Sequence, residues 1–539
     1  MPRILFAVIL SAAIFAQMPR FERISTADSG LLFTLSNSPT SDKRMIETMP
    51  GGIAAFDFDN DGRIDIFFTN GAAIPSMKKS ANRLFRNEGP GMRFRDVTAT
   101  AGLAGDGYSM GAAAGDFDND GHTDLFVAGD RHNLLYRNLG NGKFEDITAR
   151  SGIKSDEWSV AAGWFDFDGD GLLDLLVINY GRDTNETRFC GDASRNLRIY
   201  CHPKYFAPRP NQLYRNLGGG RFEDVTAKSG IGAHKGRGMS VAFADYDADG
   251  LIDAFVTNDN LPNSLFHNLG KGRFEETALL AGVALLDHGK PIASMGADFR
   301  DVDNDGRPDI SVTALSGETF PYFHNDGGGM FHDATYASRI GPLSTKRAGW
   351  ANAWVDFNND GWKDLFSANS HVNDLVERFE PGVMYRQANS VFVNQQGKTF
   401  VDAECPAMAA ALGAHRGAAF ADFDGDGRID VVVSVLGEPA ELWRNVTAGA
   451  GDWVDVRVPG TLVGATIHVT AGALQQWNVY SPAVGYASSS DTPVHFGLGK
   501  LADGATVQVE ILTLSGAKRI FENVRPNQVF FADILPKSR

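Results

Sequence analysis

Seven times in this chain an acidic loop of one form interrupts otherwise apolar sequence. The first reads "AAFDFDNDGRIDIFF", Ala54 to Phe68, and the rest follow as "GDFDNDGHTD", "FDFDGDGLLD", "ADYDADGLID", "RDVDNDGRPD", "VDFNNDGWKD" and "ADFDGDGRID". The shared pattern is D-x-D-x-D-G-x-x-D. Position 1 is Asp57, Asp116, Asp166, Asp245, Asp301, Asp356 and Asp422. Position 3 is Asp59, Asp118, Asp168, Asp247, Asp303, Asn358 and Asp424. Position 5 is Asp61, Asp120, Asp170, Asp249, Asp305, Asp360 and Asp426, and position 9 is Asp65, Asp124, Asp174, Asp253, Asp309, Asp364 and Asp430. So many like charges in one tight turn repel unless a cation neutralises them. Carboxylates at 1, 3, 5 and 9, a turn glycine at 6 and a carbonyl at 7 can ring a hard ion with oxygen. An all-oxygen donor set favours Ca²⁺ over zinc or copper, and Mg²⁺ prefers to keep its waters. Up to seven Ca²⁺ sites are expected, the sixth the weakest because Asn358 removes one carboxylate. An EF-hand is excluded: position 12 holds Phe68, Val127, Val177, Val256, Val312, Ser367 and Val433 where that loop needs a bidentate Glu.

The charge balance agrees. Lys and Arg number 50 against 66 Asp and Glu, a net charge of −16, and seven divalent ions would bring it to −2. That acidity argues against a nucleic-acid or anionic-membrane surface.

Each loop is flanked by alternating apolar runs with strand periodicity. A third element recurs as "LFRN" at Leu84, "LYRN" at Leu135 and Leu213, "LFHN" at Leu265, "YFHN" at Tyr322, "VFVN" at Val391 and "LWRN" at Leu442. A fourth, such as "FRDVT" at Phe94 or "FEDVT" at Phe222, follows a Gly-rich turn in six of the units. Four short strands per unit, repeated seven times, predict an all-β chain built as a seven-bladed β-propeller. The seventh unit lacks its fourth strand, while "RFERISTADSG" from Arg20 resembles "RFEDVTAKSG" from Arg221. Residues Phe21 to Ser25 are therefore expected to pair with Leu442 to Asn445 and close the ring, since a bare strand edge is a liability.

The domain plan is a signal peptide over 1–17, a propeller over 18–449 and a small β domain over 450–539. "MPRILFAVILSAAIFAQ" has an early cation, an apolar run and small residues before a cleavage point, the layout of an export signal. The expected location is secreted or periplasmic, with no membrane span, since no later apolar run approaches about 20 residues. Between the second and third strands of the third blade lies an insertion, 181–212, in which Cys190 and Cys201 could close a disulfide. A loop that long is a place for function, and the expected partner contact lies there. Cys405 reads as a small buried residue.

At this point the residues resemble known families. The units look like the FG-GAP/VCBS repeats of integrin α-chain heads, which are seven-bladed propellers with Ca²⁺ loops. The whole chain is similar to bacterial relatives of cartilage acidic protein, through "ETMPGG" at Glu47, "ASMGADFRDVDNDG" at Ala293, "VTALSGE" at Val312 and "GWANAWVDFNNDGWKDLFSANSHV" at Gly349. In that family the propeller precedes an ASPIC/UnbV module, matched here by "GATIHVTAG" at Gly464, "GYASSSDTPVHFGLG" at Gly485 and "FENVRPNQ" at Phe521. The module's usual opening is shortened to "PGTLVGA", and its Trp-Pro-Ser-Gly stands here as "LTLSG".

Two functions from different classes follow. One is a secreted Ca²⁺-binding module for adhesion or for binding a protein or polysaccharide, acting as a monomer. The chain holds no G-x-S-x-G, H-E-x-x-H or phosphate-binding loop. The alternative is an enzyme with its site in the propeller funnel, a cyclase or rearranging activity on a natural product, as the resemblance to modules from biosynthetic gene clusters implies. Its candidate residues are Glu47, His202, Glu318 and His371.

Overall fold

The computed structural model describes residues 18–71, 82–154, 156–182, 185 and 188–534. The expected signal peptide, 1–17, lies outside them. Every acidic loop joins the first two strands of an antiparallel sheet, and the third and fourth strands follow in simple up-and-down order. The second unit is typical: Ser109–Gly115, Asp124–Gly129, Leu134–Asn138 and Phe144–Asp146 lie side by side in that sequence. Several first strands are rich in small residues ("SMGAAAG", "SVAAGWF", "HRGAAFA"), and these three are wholly buried. They crowd against one another, and bulk is carried outward by Phe, Leu, Tyr and Trp of the later strands. The result is an all-β, propeller-like array of repeated sheets.

The seventh unit takes its outer strand from the other end of the chain. Phe21–Ile24 pairs antiparallel with the third strand of that unit, Phe21 opposite Asn445 and Ile24 opposite Leu442. Ser25 does not join the strand as expected. Its hydroxyl accepts from the Asp28 N–H at 3.1 Å and caps a short helix, Thr26–Ser29. Ser is a strong N-cap because its oxygen satisfies an otherwise orphaned amide. That helix ends at Gly30 with φ 73°, as Thr226–Ser229 ends at Gly230 with φ 94°, so the N-terminal segment repeats strand, helix and turn alike.

The C-terminal residues form two small sheets. Asp452–Arg457 lies between Val494–Gly499 and Val529–Phe531, and Thr466–Ala471 lies between Leu474–Val479 and Val507–Leu512. A third piece leaves this module. The hairpin Ala483–Val484 and Ser488–Asp491 joins the first repeat sheet, with Ser489 beside Ala54 in parallel register. From there Gly485–Asp491 touches the first strands of most other sheets. Ala112 N donates to Ala487 O at 3.1 Å, Gly485 N donates to Ala297 O at 2.9 Å, and Phe420 N donates to Ser490 Oγ at 3.1 Å. At the hairpin tip, Tyr486 donates from its hydroxyl to Met49 O at 2.7 Å and meets Trp350 edge-on at 5.0 Å. Glycine makes the fit possible: a Cβ on Gly417 would lie 2.2 Å from Gly51 O and 2.7 Å from Ser488 Oγ. The space among the first strands is filled by this hairpin.

The insertion folds over the end of the array away from the acidic loops. Its strands are short, Gly181–Arg182 beside Ala207–Pro210 and Gly191–Asp192 beside Leu197–Arg198. Cys190 and Cys201 are joined in a disulfide, with Cα atoms 5.2 Å apart. Cys405 is buried, which pushes its thiol up to about 12.

Candidate metal centre

The loop conformation follows from two left-handed residues. Position 4 is Asn60, Asn119, Asn304 or Asn359 in four units, with φ of 57–60°, and position 6 is glycine, as Gly62 at φ 85°. Asn tolerates this region better than most side chains, and Gly enters it freely. The chain thereby curls inward. In the first loop Asp57 accepts from the Asp61 and Gly62 amides at 3.1 and 2.8 Å, and Asp61 accepts from the Arg63 amide at 3.0 Å. Asp65 accepts from Phe58 N at 3.0 Å and from Asn87 N at 2.7 Å. The same bonds recur, for example at Asp116, Asp245 and Asp422.

The position-3 aspartates carry the test of fit. One oxygen of each faces a cation from the third strand. Asp59 meets Arg86 at 2.6 Å, Asp118 meets Arg137 at 2.5 Å, Asp168 meets Arg215 at 2.6 Å and Asp424 meets Arg444 at 2.7 Å. Histidine takes that place for Asp303, with His324 at 2.9 Å, and for Asp247, with His267 at 3.6 Å. The other oxygen, Oδ1 of Asp59, Asp118, Asp168, Asp247, Asp303 and Asp424, is buried without a hydrogen-bond partner in every case. A buried unsatisfied carboxylate oxygen is expensive. Six at one position point to a shared occupant, and an oxygen-seeking cation fits all six.

The carboxyl groups report the same strain. Burial, reinforced by the neighbouring aspartates, pushes Asp65 up to about 8, Asp124 and Asp174 up to about 9 and Asp253 up to about 7, against backbone N–H bonds that hold them down. Asp309, Asp364 and Asp430 are raised well above the usual range for the same first reason. At position 1, burial lifts Asp116, Asp245 and Asp301 to about 6 and Asp422 to about 7.

The sixth loop differs in more than Asn358. It is the seat of the C-terminal module: Gly451 N donates to Asn358 O at 3.1 Å and Gly499 N to Asn359 O at 2.8 Å. His495 lies 2.8 Å from Asn359 Oδ1 and 2.7 Å from Asp455. Lys363, buried, donates to Asp301 O at 2.8 Å and to Trp477 O at 3.0 Å, joining loop and module.

A set of residues whose role sequence reasoning missed is the asparagine ending each third strand. Each Nδ2 donates to the position-2 carbonyl of the preceding loop. Asn138 reaches Phe58 at 2.8 Å, Asn216 Phe117 at 2.8 Å, Asn268 Phe167 at 2.9 Å, Asn325 Tyr246 at 2.9 Å, Asn394 Val302 at 3.0 Å and Asn445 Phe357 at 2.8 Å. Asn87 of the first unit reaches Phe423 of the seventh at 2.9 Å. The signal was present, since all seven third-strand motifs end in Asn.

The four funnel candidates lie at the opposite end. His202, Glu318 and His371 line one cavity of about 520 Å³ beneath the insertion, together with Asp259, Met295 and Trp350. Glu47 is fully buried nearby, accepting from Thr40 Oγ1 at 2.5 Å and from the Tyr200 hydroxyl at 3.4 Å. Burial holds His202 and His371 below the ordinary imidazole range and raises Glu318. Each imidazole accepts at Nδ1 from a backbone amide, Lys204 N at 3.1 Å and Asn373 N at 3.0 Å, which leaves its proton on Nε2.

Repeated sheets joined by acidic loops, with a separate β module behind them, define a class, and sequence comparison places the chain in it. The chain belongs to the FG-GAP-like repeat family, whose model matches residues 57–127, 116–177, 205–256, 245–312 and 301–367. The "ASPIC and UnbV" model matches residues 459–533. Cartilage acidic protein 1 of Mus musculus is 28% identical over 294 residues, 51% of this chain and 42% of that protein. The Homo sapiens protein is 26% identical over 324 residues, 57% of this chain and 45% of its own length. The match thus spans less than half of these relatives. Among solved structures, YCF48 bound to D1 peptide aligns with a TM-score of 0.43 at 9% identity, covering 78% of this chain and 94% of that one. Among the described residues no helix is long and apolar enough to cross a membrane.

Proposed function

We propose that this chain is a secreted or periplasmic Ca²⁺-binding protein, a seven-bladed propeller closed by its N-terminal strand, that binds a protein or polysaccharide ligand outside the cell. The observation that carries it is the buried, unpartnered Oδ1 at position 3 of six loops. Around each, the aspartates at positions 1, 5 and 9 would complete an oxygen cage, and Ca²⁺ supplies the positive charge that lets all of them ionise together. Closure is supported by the Phe21–Ile24 pairing and by the asparagine bonds that link each unit to the one before, Asn87 to Phe423 included. The export signal of residues 1–17 supports the location.

Calcium here holds the scaffold, and the ligand meets the far face, where the disulfide-tied insertion covers a cavity. Retention on immobilised envelope polysaccharide and envelope protein, measured in Ca²⁺ and in EDTA, tests the reading. Expected is binding in Ca²⁺ that is lost together with thermal stability on chelation. Unchanged melting and unchanged retention in EDTA would overturn it.

A second reading, an enzyme, is favoured by one observation: His202, Glu318 and His371 converge on a single cavity. Two neutral imidazoles with their protons on Nε2, on a cavity that Asp259 and Glu318 also line, are a proton-transfer set. The site is then the cavity under the insertion, because the hairpin tip occupies the channel.

A further inference from the structure

Blade for blade, the third and fourth strands place one cross-strand pair over the acidic loop. In the sheets with the first, second, third and seventh loops that pair is Arg86 and Arg95, Arg137 and Glu145, Arg215 and Glu223, and Arg444 and Glu22. An arginine supplies charge but has no lone pair to offer a metal. The sheet with the fourth loop has His267 opposite Glu275, and that with the sixth has Val393 opposite Val401. The sheet with the fifth loop departs from all of them. His324 stands opposite His332, and Asp326 follows on the same edge of the hairpin. Residues directly opposite in an antiparallel pair share a face, so both imidazoles point the same way. Their ring centroids are 5.0 Å apart.

We propose that His324, Asp326 and His332 form a second, separate metal site, one for a borderline transition ion of the Zn²⁺ type. Asp326 Oδ1 lies 3.2 Å from His324 Nδ1 and 2.8 Å from His332 Nδ1, and all three donor atoms fall within 4.8 Å of one another. Tetrahedral zinc with bonds near 2.0–2.1 Å needs ligand separations of about 3.3 Å, which small side-chain adjustments provide. Two imidazoles and one carboxylate form a mixed nitrogen and oxygen set that suits zinc and disfavours calcium. His324 is also oriented from behind. Its Nε2 lies 2.9 Å from Asp303 Oδ2, which leaves Nδ1 turned to the hairpin face. A ring N–H given to a carboxylate while the other nitrogen binds the ion is the usual support of a metal-bound histidine. Asp326 and His332 are about half exposed, at 47% and 54%, so an ion has a path in and a fourth coordination position faces solvent. Through Asp303 the site shares an edge with the fifth acidic loop, yet its own donors are not part of that loop.

The test uses the full mature chain in zinc-free buffer saturated with Ca²⁺. ZnCl₂ is titrated against a chromophoric chelator, and CoCl₂ is titrated in parallel for its visible absorption. Expected is one Zn²⁺ per chain that excess Ca²⁺ does not displace, and a Co²⁺ spectrum of the intense tetrahedral type. His332→Ala and Asp326→Asn, both at exposed positions away from the Ca²⁺ ligands, should each weaken Zn²⁺ by about 100-fold or more and abolish the cobalt spectrum. Their melting in Ca²⁺ should match the parent. No stoichiometric Zn²⁺ binding, or binding that survives either substitution, overturns the proposal.

Discussion

Replacing Asn268 with Leu tests whether the asparagine bonds between units hold the array together. Asn268 is fully buried. Its Nδ2 donates to Phe167 O of the preceding loop at 2.9 Å and to Ile252 O at 3.1 Å, and its Oδ1 accepts from Gly270 N at 2.9 Å. Leucine has similar volume and none of these groups. Phe167 and Ile252 are themselves buried, so water cannot replace the lost donor at either carbonyl. Each unsatisfied buried group costs about 1–3 kcal/mol, and the added apolar burial of Leu returns about 1–2 kcal/mol. A net loss of about 3 kcal/mol follows. Asn60→Gly is the internal control. Asn60 also bridges two units, its Nδ2 donating to Gly121 O at 2.8 Å, but it is exposed and sits at φ 57°. Glycine loses a solvent-competed bond and gains an unstrained backbone, so the change should stay within about 0.5 kcal/mol. Urea unfolding of both variants in saturating Ca²⁺ gives the comparison. If Asn268→Leu falls within 1 kcal/mol of the parent, the carbonyls it serves are satisfied some other way and the reasoning fails.

Chelation should give stability an inverted pH dependence. The inner aspartates, with Asp65 at about 8 and Asp124 and Asp174 at about 9, bind more protons folded than unfolded. Stability of the metal-free protein therefore falls as pH rises from about 4 towards 9, and calcium should remove that slope. A chelated protein that melts higher at pH 8 than at pH 5.5 contradicts this. Deleting residues 18–28 bares the Leu442–Asn445 edge and should end cooperative melting or drive aggregation, read by calorimetry and light scattering. Tyr486→Ala removes a buried ring and leaves Met49 O unpaired, and should lower stability by about 3–5 kcal/mol while Tyr486→Phe loses about 1 kcal/mol, both in urea unfolding.

What the sequence made legible was what repeats. The carboxylates at four spaced positions mark the turns that join first to second strands, and the strand-four element at Phe21 marks its missing partner, because seven copies turn a weak local signal into a count. The hairpin at Gly485–Asp491 has no such help. Its "GYASSSD" is small and polar, without period, and it lies among first strands only because Gly417 and its neighbours leave room. The fate of the sixth loop was half visible. Asn358 showed a lost carboxylate, but its role as a seat for Gly451 and Gly499 depends on contacts about 90 to 140 residues away along the chain. Of the four funnel candidates, His202, Glu318 and His371 line one cavity and Glu47 is buried beside it, while nothing in composition shows that a hairpin fills the space among the first strands.

The hairpin of the C-terminal module also settles how the chain comes apart. Ser489 pairs with Ala54, more than 400 residues upstream, and Phe21 pairs with Asn445 across a similar span. Both ends of the chain are thus stitched into sheets begun at the other end. Such distant pairings form late and slowly, since long loops must close before contacts repay them. By microscopic reversibility they break early on unfolding, and each end that lets go bares a sheet it had completed. The two family-defined segments should therefore unfold as one cooperative unit, and proteolysis between them should yield a hollow, short-lived array of sheets in place of two independent domains.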